Sequence, residues 1–216
     1  MDTERLKDAM VAAMLPHAAF DGWSRATLAA ASRDLDLDPI LPDRLFPGGP
    51  VEAVSHFVAF ADRVMVTDLE AADLAGTHGL GAKVFLATRL RLERWGEHRE
   101  AIRRAASLLS LPLNLPLAVR LTWGTADAIW QAVGDQSHDF SWYTKRATLS
   151  AVYSSTLLYW LDDSSEDSVD SWEFLKRRLS DVRNLPKLRE KVEGLAKGNP
   201  LGSLAARIKP PVRRWG

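Results

Sequence analysis

The sequence predicts an all-α protein in which a three-helix, helix-turn-helix-like head precedes a larger helical ligand-binding body. Three observations carry that expectation. Apolar residues recur with 3.6-residue spacing along the chain, while the strict alternation of a half-buried strand is almost absent. Turn signals divide the first fifty residues into three short segments. Six or seven longer periodic segments follow, in a chain of 216 residues that is ample for a buried core.

Leu6, Met10, Ala13, Met14 and His17 mark one face of a first helix, which ends near Asp21-Gly22. Ser24 is positioned to cap a second helix from Arg25 to about Asp34. Asp38 followed by Pro39 reads as an N-cap with proline at the first helical position, opening a third helix that stops at Pro47-Gly48-Gly49-Pro50. A long helix is expected from Val51 to Leu74, another from Lys83 to Leu109 across Gly96, and a third from Leu115 to Val133. After a polar loop, Asp139 is a cap for a helix from Phe140 to Leu161. No charge lies between Arg146 and Asp162, so that helix is expected to be buried among its neighbours. Its small residues, Ala147, Ser150, Ala151, Ser154 and Ser155, leave room for either close packing or a cavity. Trp172, Leu175, Leu179 and Val182 form the inner stripe of the next helix. Beyond Pro186 a narrower stripe, Leu188, Val192 and Leu195, continues through Leu201, Leu204 and Ile208 on a basic background. The expected division is a head over 1–50, a body over 51–184 and a basic, partly amphipathic tail over 185–216.

Hydrophobic residues at 46% and charged residues at 26% are ordinary for a folded protein. The absence of cysteine excludes disulfide scaffolds, thiolate metal sites and cysteine nucleophiles. Eight tryptophans are many for this length, and such rings serve cores, interfaces and apolar ligands. Zero net charge conceals an asymmetry: residues 1–50 hold five basic against eight acidic side chains, whereas residues 176–216 hold twelve against three. The basic end points towards anionic lipid or an acidic partner. The start, Met1-Asp2-Thr3-Glu4-Arg5, is acidic where a leader would be basic, and Pro112 and Pro116 interrupt the longest apolar stretch. From these features the chain is expected in the cytoplasm, at most peripheral to a membrane.

A head of this kind is tested first as a DNA reader. Residues 21–50 carry Arg25, Arg33 and Arg44 against Asp21, Asp34, Asp36, Asp38 and Asp43. An acidic surface opposes the phosphate neutralisation that supplies most DNA affinity. Catalytic constellations are no easier to find. The five histidines are scattered, and Asp135-Gln136-Ser137-His138 supplies only one copy of a carboxylate-histidine pair where a di-iron bundle needs two. Gly76, Gly79 and Gly81 have the wrong spacing for a dinucleotide loop. Neither an enzyme activity nor a metal or other cofactor is expected.

Binding is the remaining class, because apolar cavities with few polar groups suit hydrophobic ligands. Candidate pocket walls are Leu90, then Leu113, Leu117, Leu121 and Trp130, and finally Tyr153, Leu157 and Trp160. Trp142 and Tyr143 follow a polar loop beside Asp135 and Asp139, where they would form an interaction hot spot if exposed.

The run Gly134-Asp135-Gln136-Ser137-His138-Asp139-Phe140-Ser141-Trp142-Tyr143-Thr144-Lys145-Arg146 resembles the signature of the Coq-nine family of ubiquinone (coenzyme Q) biosynthesis proteins. The likeness continues through Ala151-Val152-Tyr153-Ser154-Ser155-Thr156, Asp162-Asp163-Ser164-Ser165 and Trp172-Glu173-Phe174-Leu175. Upstream it includes Leu111 to Pro116 and Asp127 to Trp130, and it covers about residues 5–185. This resemblance implies a TetR-like fold without DNA regulation and a non-enzymatic accessory role. It further implies isoprenoid or phospholipid ligands in the helical body, presentation of quinone precursors to the demethoxyubiquinone di-iron hydroxylase (Coq-seven), and a homodimer. The docking residues it implies are Asp127, Ile129, Asp135, Asp139, Trp142 and Tyr143. The family's mitochondrial members carry a transit peptide and an amphipathic C-terminal membrane helix; this sequence is expected to depart from the first, which fits a bacterial protein peripherally associated with the inner membrane, and from the second, because Pro200 and Pro210-Pro211 break its own tail. The alternative is a TetR-like, ligand-responsive transcriptional regulator.

Overall fold

The computed structural model describes residues 2–72, 77–137 and 140–182. The described residues are helical, with turns and no strand. Met1–Lys176 form one compact unit; Arg177–Gly216 form a second, of which residues 177–182 are described and helical. The expected tail therefore lies outside the described residues, as does the Asp139 cap.

The head comprises α1 (Thr3–Asp21), α2 (Arg25–Asp34) and α3 (Leu41–Leu45). Ser24 caps α2 as expected: its Oγ accepts from Thr27 N at 3.2 Å, and Thr27 Oγ1 accepts from Ser24 N at 2.9 Å. This reciprocal box satisfies two backbone donors that a helix start leaves unpaired. The third helix begins later than expected. Asp38 closes a turn instead, its carboxylate accepting from Ile40 N at 2.9 Å and its carbonyl from Leu41 N at 2.9 Å. Pro42, in place of Pro39, occupies the first turn of α3.

Gly49, at φ 67°, turns the chain into α4 (Pro50–Ala71), a conformation that disfavours residues with a Cβ. The helix expected across Gly96 is divided into α5 (Leu80–Glu93) and α6 (Arg99–Leu109), joined through a 3₁₀ turn at Gly96–His98. Buried Trp95 explains the break, since its ring packs edge-on against Phe57 and Phe60 at 5.1 and 5.7 Å. The redirected α6 packs against α1, and Trp23 Nε1 donates to Ala101 O at 2.8 Å. Met10, Met14 and Leu28 of the head therefore share one core with Phe57, Trp95 and Ala101.

Three more helices follow, α7 (Leu115–Ala132), α8 (Phe140–Asp162) and α9 (residues 169–182). Asp163 organises the turn before α9, accepting from Ser165 N at 2.8 Å and Ser171 N at 2.9 Å. Its carboxyl is lowered to about 2: burial opposes ionisation, but the hydrogen bonds from Ser165 and Ser171 outweigh it. One expectation is corrected here. Helix α8 is not buried all round. Leu149, Val152, Tyr153 and Trp160 face inward, whereas Tyr143, Ala147, Ala151 and Leu158 are exposed. Helix α7 covers one side, α6 touches another, and Tyr159 stacks on Phe174 of α9 at 4.7 Å, while the exposed residues above remain open to solvent.

Candidate functional site: a cavity and a tryptophan face

Two features of the body unite residues distant in sequence. The first is a cavity of about 290 Å³, near the lower end of small-molecule sites. It exists because α6, α7 and α8 present small side chains where they converge: Ala105 and Ala106, Ala118, and Ser154. Larger apolar residues complete the walls, among them Phe57, Ile102 and Leu109. Leu121, Tyr153 and Leu157 of the expected walls line it; Leu90, Leu113, Leu117, Trp130 and Trp160 do not. Leu113 is 95% exposed, Trp130 donates Nε1 to Lys145 O at 3.1 Å, and Trp160 packs beneath the Arg99 guanidinium at 4.4 Å.

The cavity has a polar floor that periodicity alone did not suggest. Buried Arg91 donates Nε to Asp62 Oδ1 at 2.6 Å and Nη2 to Val58 O at 3.3 Å. Thr125 Oγ1 donates to the other Asp62 oxygen at 3.1 Å. The Tyr153 ring lies 5.4 Å from the Arg91 guanidinium. Burial opposes the charge of Arg91, yet Tyr153 and the Asp62 carboxylate hold its pKa above the ordinary value. Burial likewise raises the Tyr153 phenol, against the pull of Arg91. Arg91 thus remains a cation and Tyr153 a neutral donor. The available signal was one charge on each of two apolar stripes: Asp62 beside Ala61, and Arg91 following Val84, Ala87 and Thr88.

The second feature is the face built by the signature segment. Asp135 has a side chain only 2% exposed and accepts from Lys145 Nζ at 2.7 Å, Ser137 Oγ at 2.5 Å and Arg146 Nη1 at 3.3 Å. Burial opposes its ionisation, but these donors lower its pKa to about 2. Arg146, equally buried, also donates Nε to Asp127 Oδ1 at 2.5 Å and Nη1 to Trp142 O at 3.3 Å. Its guanidinium lies 4.0 Å from the Trp142 ring centre. Trp142 meets Trp123 at 5.9 Å and Tyr143, edge-on, at 4.8 Å. Tyr143 is 61% exposed and Trp142 partly so, while Ile129 is fully buried beneath. Asp127, Asp135, Trp142 and Tyr143 are therefore brought together, Ile129 turns inward, and Asp139 lies outside the described residues. Trp123 and Arg146 are members the sequence reading missed; Arg146 was legible as the last charge before a long apolar run.

Among the described residues, one group of side chains has ligand atoms close enough together to hold a cation. Glu4, Asp8 and His56 approach one another between α1 and α4, but Arg63 already pairs with Asp8 at 2.5 Å and Glu4 at 3.3 Å.

Comparison with known proteins gives these features a family. Residues 115–186 match the COQ9 family model. The mitochondrial ubiquinone biosynthesis protein COQ9 of Homo sapiens is 30% identical over 211 residues, covering 95% of this chain and 66% of the human protein. Its Xenopus tropicalis counterpart is 34% identical over 188 residues, covering 84% of this chain and 59% of that protein. The chain belongs to the COQ9 family. It spans about two thirds of the length of these COQ9 relatives or less. A solved TetR transcriptional regulator from Nitrosomonas europaea superposes with a TM-score of 0.64 at 19% identity, covering 82% of this chain and 97% of that one, which shows a TetR-like fold. The COQ9 relatives correct one expectation. They are eukaryotic proteins named as mitochondrial, which overturns the bacterial cytoplasmic location inferred from the acidic start.

Proposed function

We propose that the chain is a non-enzymatic, lipid-binding accessory protein of ubiquinone biosynthesis. It shelters an isoprenoid quinone precursor or a phospholipid in the α4–α8 cavity and presents it to the demethoxyubiquinone di-iron hydroxylase. The observation that carries this reading is the apolar cavity at the convergence of small side chains, because a nearly water-insoluble ligand requires such a shelter. The Trp142–Tyr143 face, with Asp127 and Asp135 behind it, has the aromatic character of a docking hot spot. The uncovered side of α8 suits a second copy of the chain. Head (1–50), body (51–184) and tail (185–216) are the working divisions, with the basic tail contacting anionic membrane. No cofactor enters the reading. The DNA-regulator alternative is disfavoured by a five-residue α3 and by Arg25, whose guanidinium is paired with Asp43.

The test is lipid extraction and native mass spectrometry of the wild type and Ala118→Trp, which fills the cavity. Wild type is expected to retain lipid; the variant should lose at least nine tenths of it while remaining folded. Equal lipid content in both would remove the cavity from the proposal.

A further inference from the structure

Four exposed apolar side chains sit on one short segment. At the turn from α6 into α7, Leu111, Leu113 and Leu115 are 52%, 95% and 48% exposed, and Val119 follows one helical turn later at 69%. Pro112 and Pro116, interspersed among them, are exposed as well. This exposure is built into the backbone. Asn114 Nδ2 donates to Leu108 O at 2.8 Å and Asn114 N to Leu111 O at 2.8 Å, so the polar residue of the turn folds back onto α6. The two prolines restrict the chain further. A braced turn holds its leucines outward, and apolar groups held there are unfavourable until something covers them.

Two observations indicate what the cover is. The first is charge. No Asp or Glu occurs between Glu100 and Asp127, whereas Arg103, Arg104 and Arg120 do. Arg103 and Arg104 are paired with Glu100, and Arg103 also with Asp162. Arg120 is exposed and has no ion-pair partner among the described residues. An apolar turn beside a free cation, with no acid along its own stretch of chain, complements an anionic lipid surface. The second is the backbone. Of residues 110–116, Pro112 and Pro116 have no N–H, and Ser110, Leu111, Asn114 and Leu115 donate theirs inside the turn. The segment therefore carries few unpaired donors into an apolar phase, where each would be costly. Its composition also differs from the Trp142–Tyr143 face: leucine, proline and valine are poor anchors for a protein partner, whereas tryptophan and tyrosine are good ones.

We infer that the α6–α7 turn is a membrane-insertion element. Leu111, Pro112, Leu113 and Leu115 enter the acyl-chain boundary of an anionic leaflet, and Arg120 meets the phosphates above them. Arg120 lies five residues past Leu115, about 7.5 Å along α7, within the depth of roughly 5–10 Å to which interfacial elements sink. Insertion is confined to one leaflet, since no described helix is long and apolar enough to cross a membrane. The contact is separate from the basic tail and does not depend on what the cavity holds.

The experiment is flotation of the full chain with vesicles of phosphatidylcholine containing one third phosphatidylglycerol, and with pure phosphatidylcholine as the uncharged control. Leu111→Ser with Leu113→Ser should lower partitioning onto the anionic vesicles at least about tenfold while retaining the wild-type circular dichroism. Arg120→Gln should lower it about fivefold there and leave the uncharged vesicles unaffected. Because the sequence has no cysteine, Leu113→Cys accepts a single fluorophore at the apex of the turn. Its quenching by spin-labelled acyl chains is expected in the vesicle-bound protein. Binding without that quenching, or undiminished partitioning of the double serine variant, would move the contact to another part of the chain and overturn the assignment. Failure of the wild type to bind either vesicle would overturn it too. So would a change of subunit number in the double variant by native mass spectrometry, which would make the turn an interface between copies. The carrier reading stands or falls separately, on the lipid content of Ala118→Trp.

Discussion

The body buries two arginines, each against a carboxylate, and uses them differently. Arg146 is enclosed by Asp127, Asp135, the Trp142 carbonyl and the Trp142 ring, in a network that also holds Lys145 and Ser137. Arg91 has Asp62 and one carbonyl, and then opens onto an apolar cavity. The first arrangement stabilises the face that displays Tyr143; the second places a cation in the cavity wall. A buried charge enclosed by protein on every side holds its surroundings together, whereas one in a cavity wall also sets the polarity of that cavity.

Breaking the saturated network should have the largest effect. Arg146→Met leaves Asp135 buried with one of its two cations gone and removes the partner of Asp127, and a loss of about 3–5 kcal/mol is expected in urea unfolding. Arg91→Met with Asp62→Leu is expected to change stability by no more than about 1 kcal/mol, since both charges leave together. Comparable losses in the two would erase the distinction between clip and floor.

Acid should separate the same regions with a smaller effect. The Asp135 carboxyl is lowered to about 2 from an ordinary value near 3.8, so its stabilisation is complete above the ordinary value and disappears as pH falls through 2. Its share is on the order of 2 kcal/mol. Unfolding midpoints of the wild type should therefore fall between about pH 4 and pH 2, with a shallower slope in Asp135→Asn. Asp163 titrates over the same window, so the Asp135→Asn profile should flatten without becoming level.

The smallest change in stability belongs to Tyr143. Exposed and outside the Arg146 network, Tyr143→Ala should alter unfolding by less than about 1 kcal/mol. If the face docks the hydroxylase, the same substitution should weaken that association at least about tenfold by surface-binding measurement. Undiminished association would move the docking site elsewhere. Trp142 is a poorer probe, because its ring covers the Arg146 guanidinium and its loss would disturb the clip as well.

Much of this molecule was legible in order along the chain. Ser24 caps α2, Gly22 and Gly49 occupy the positive-φ positions at which helices end or begin, and α7 starts where Leu115 and Pro116 indicated. These features depend on neighbours within a few residues, where capping, backbone sterics and helical period act. The break at Trp95–Gly96 was hidden because it depends on Phe57 and Phe60, roughly thirty-five residues earlier. The exposed side of α8 was hidden for a related reason: an apolar helix face looks the same in sequence whether a neighbour covers it or not.

The candidate site divides along the same line. Its signature segment and its aromatic pair were set down in the sequence, because residue type and local spacing determine them. Tertiary structure decided which wall residues face the cavity, that Ile129 points inward, and that Asp62, Arg91 and Thr125 form a floor. Those three residues come from separate helices, and only the packing of α4, α5 and α7 brings their polar atoms within hydrogen-bonding distance.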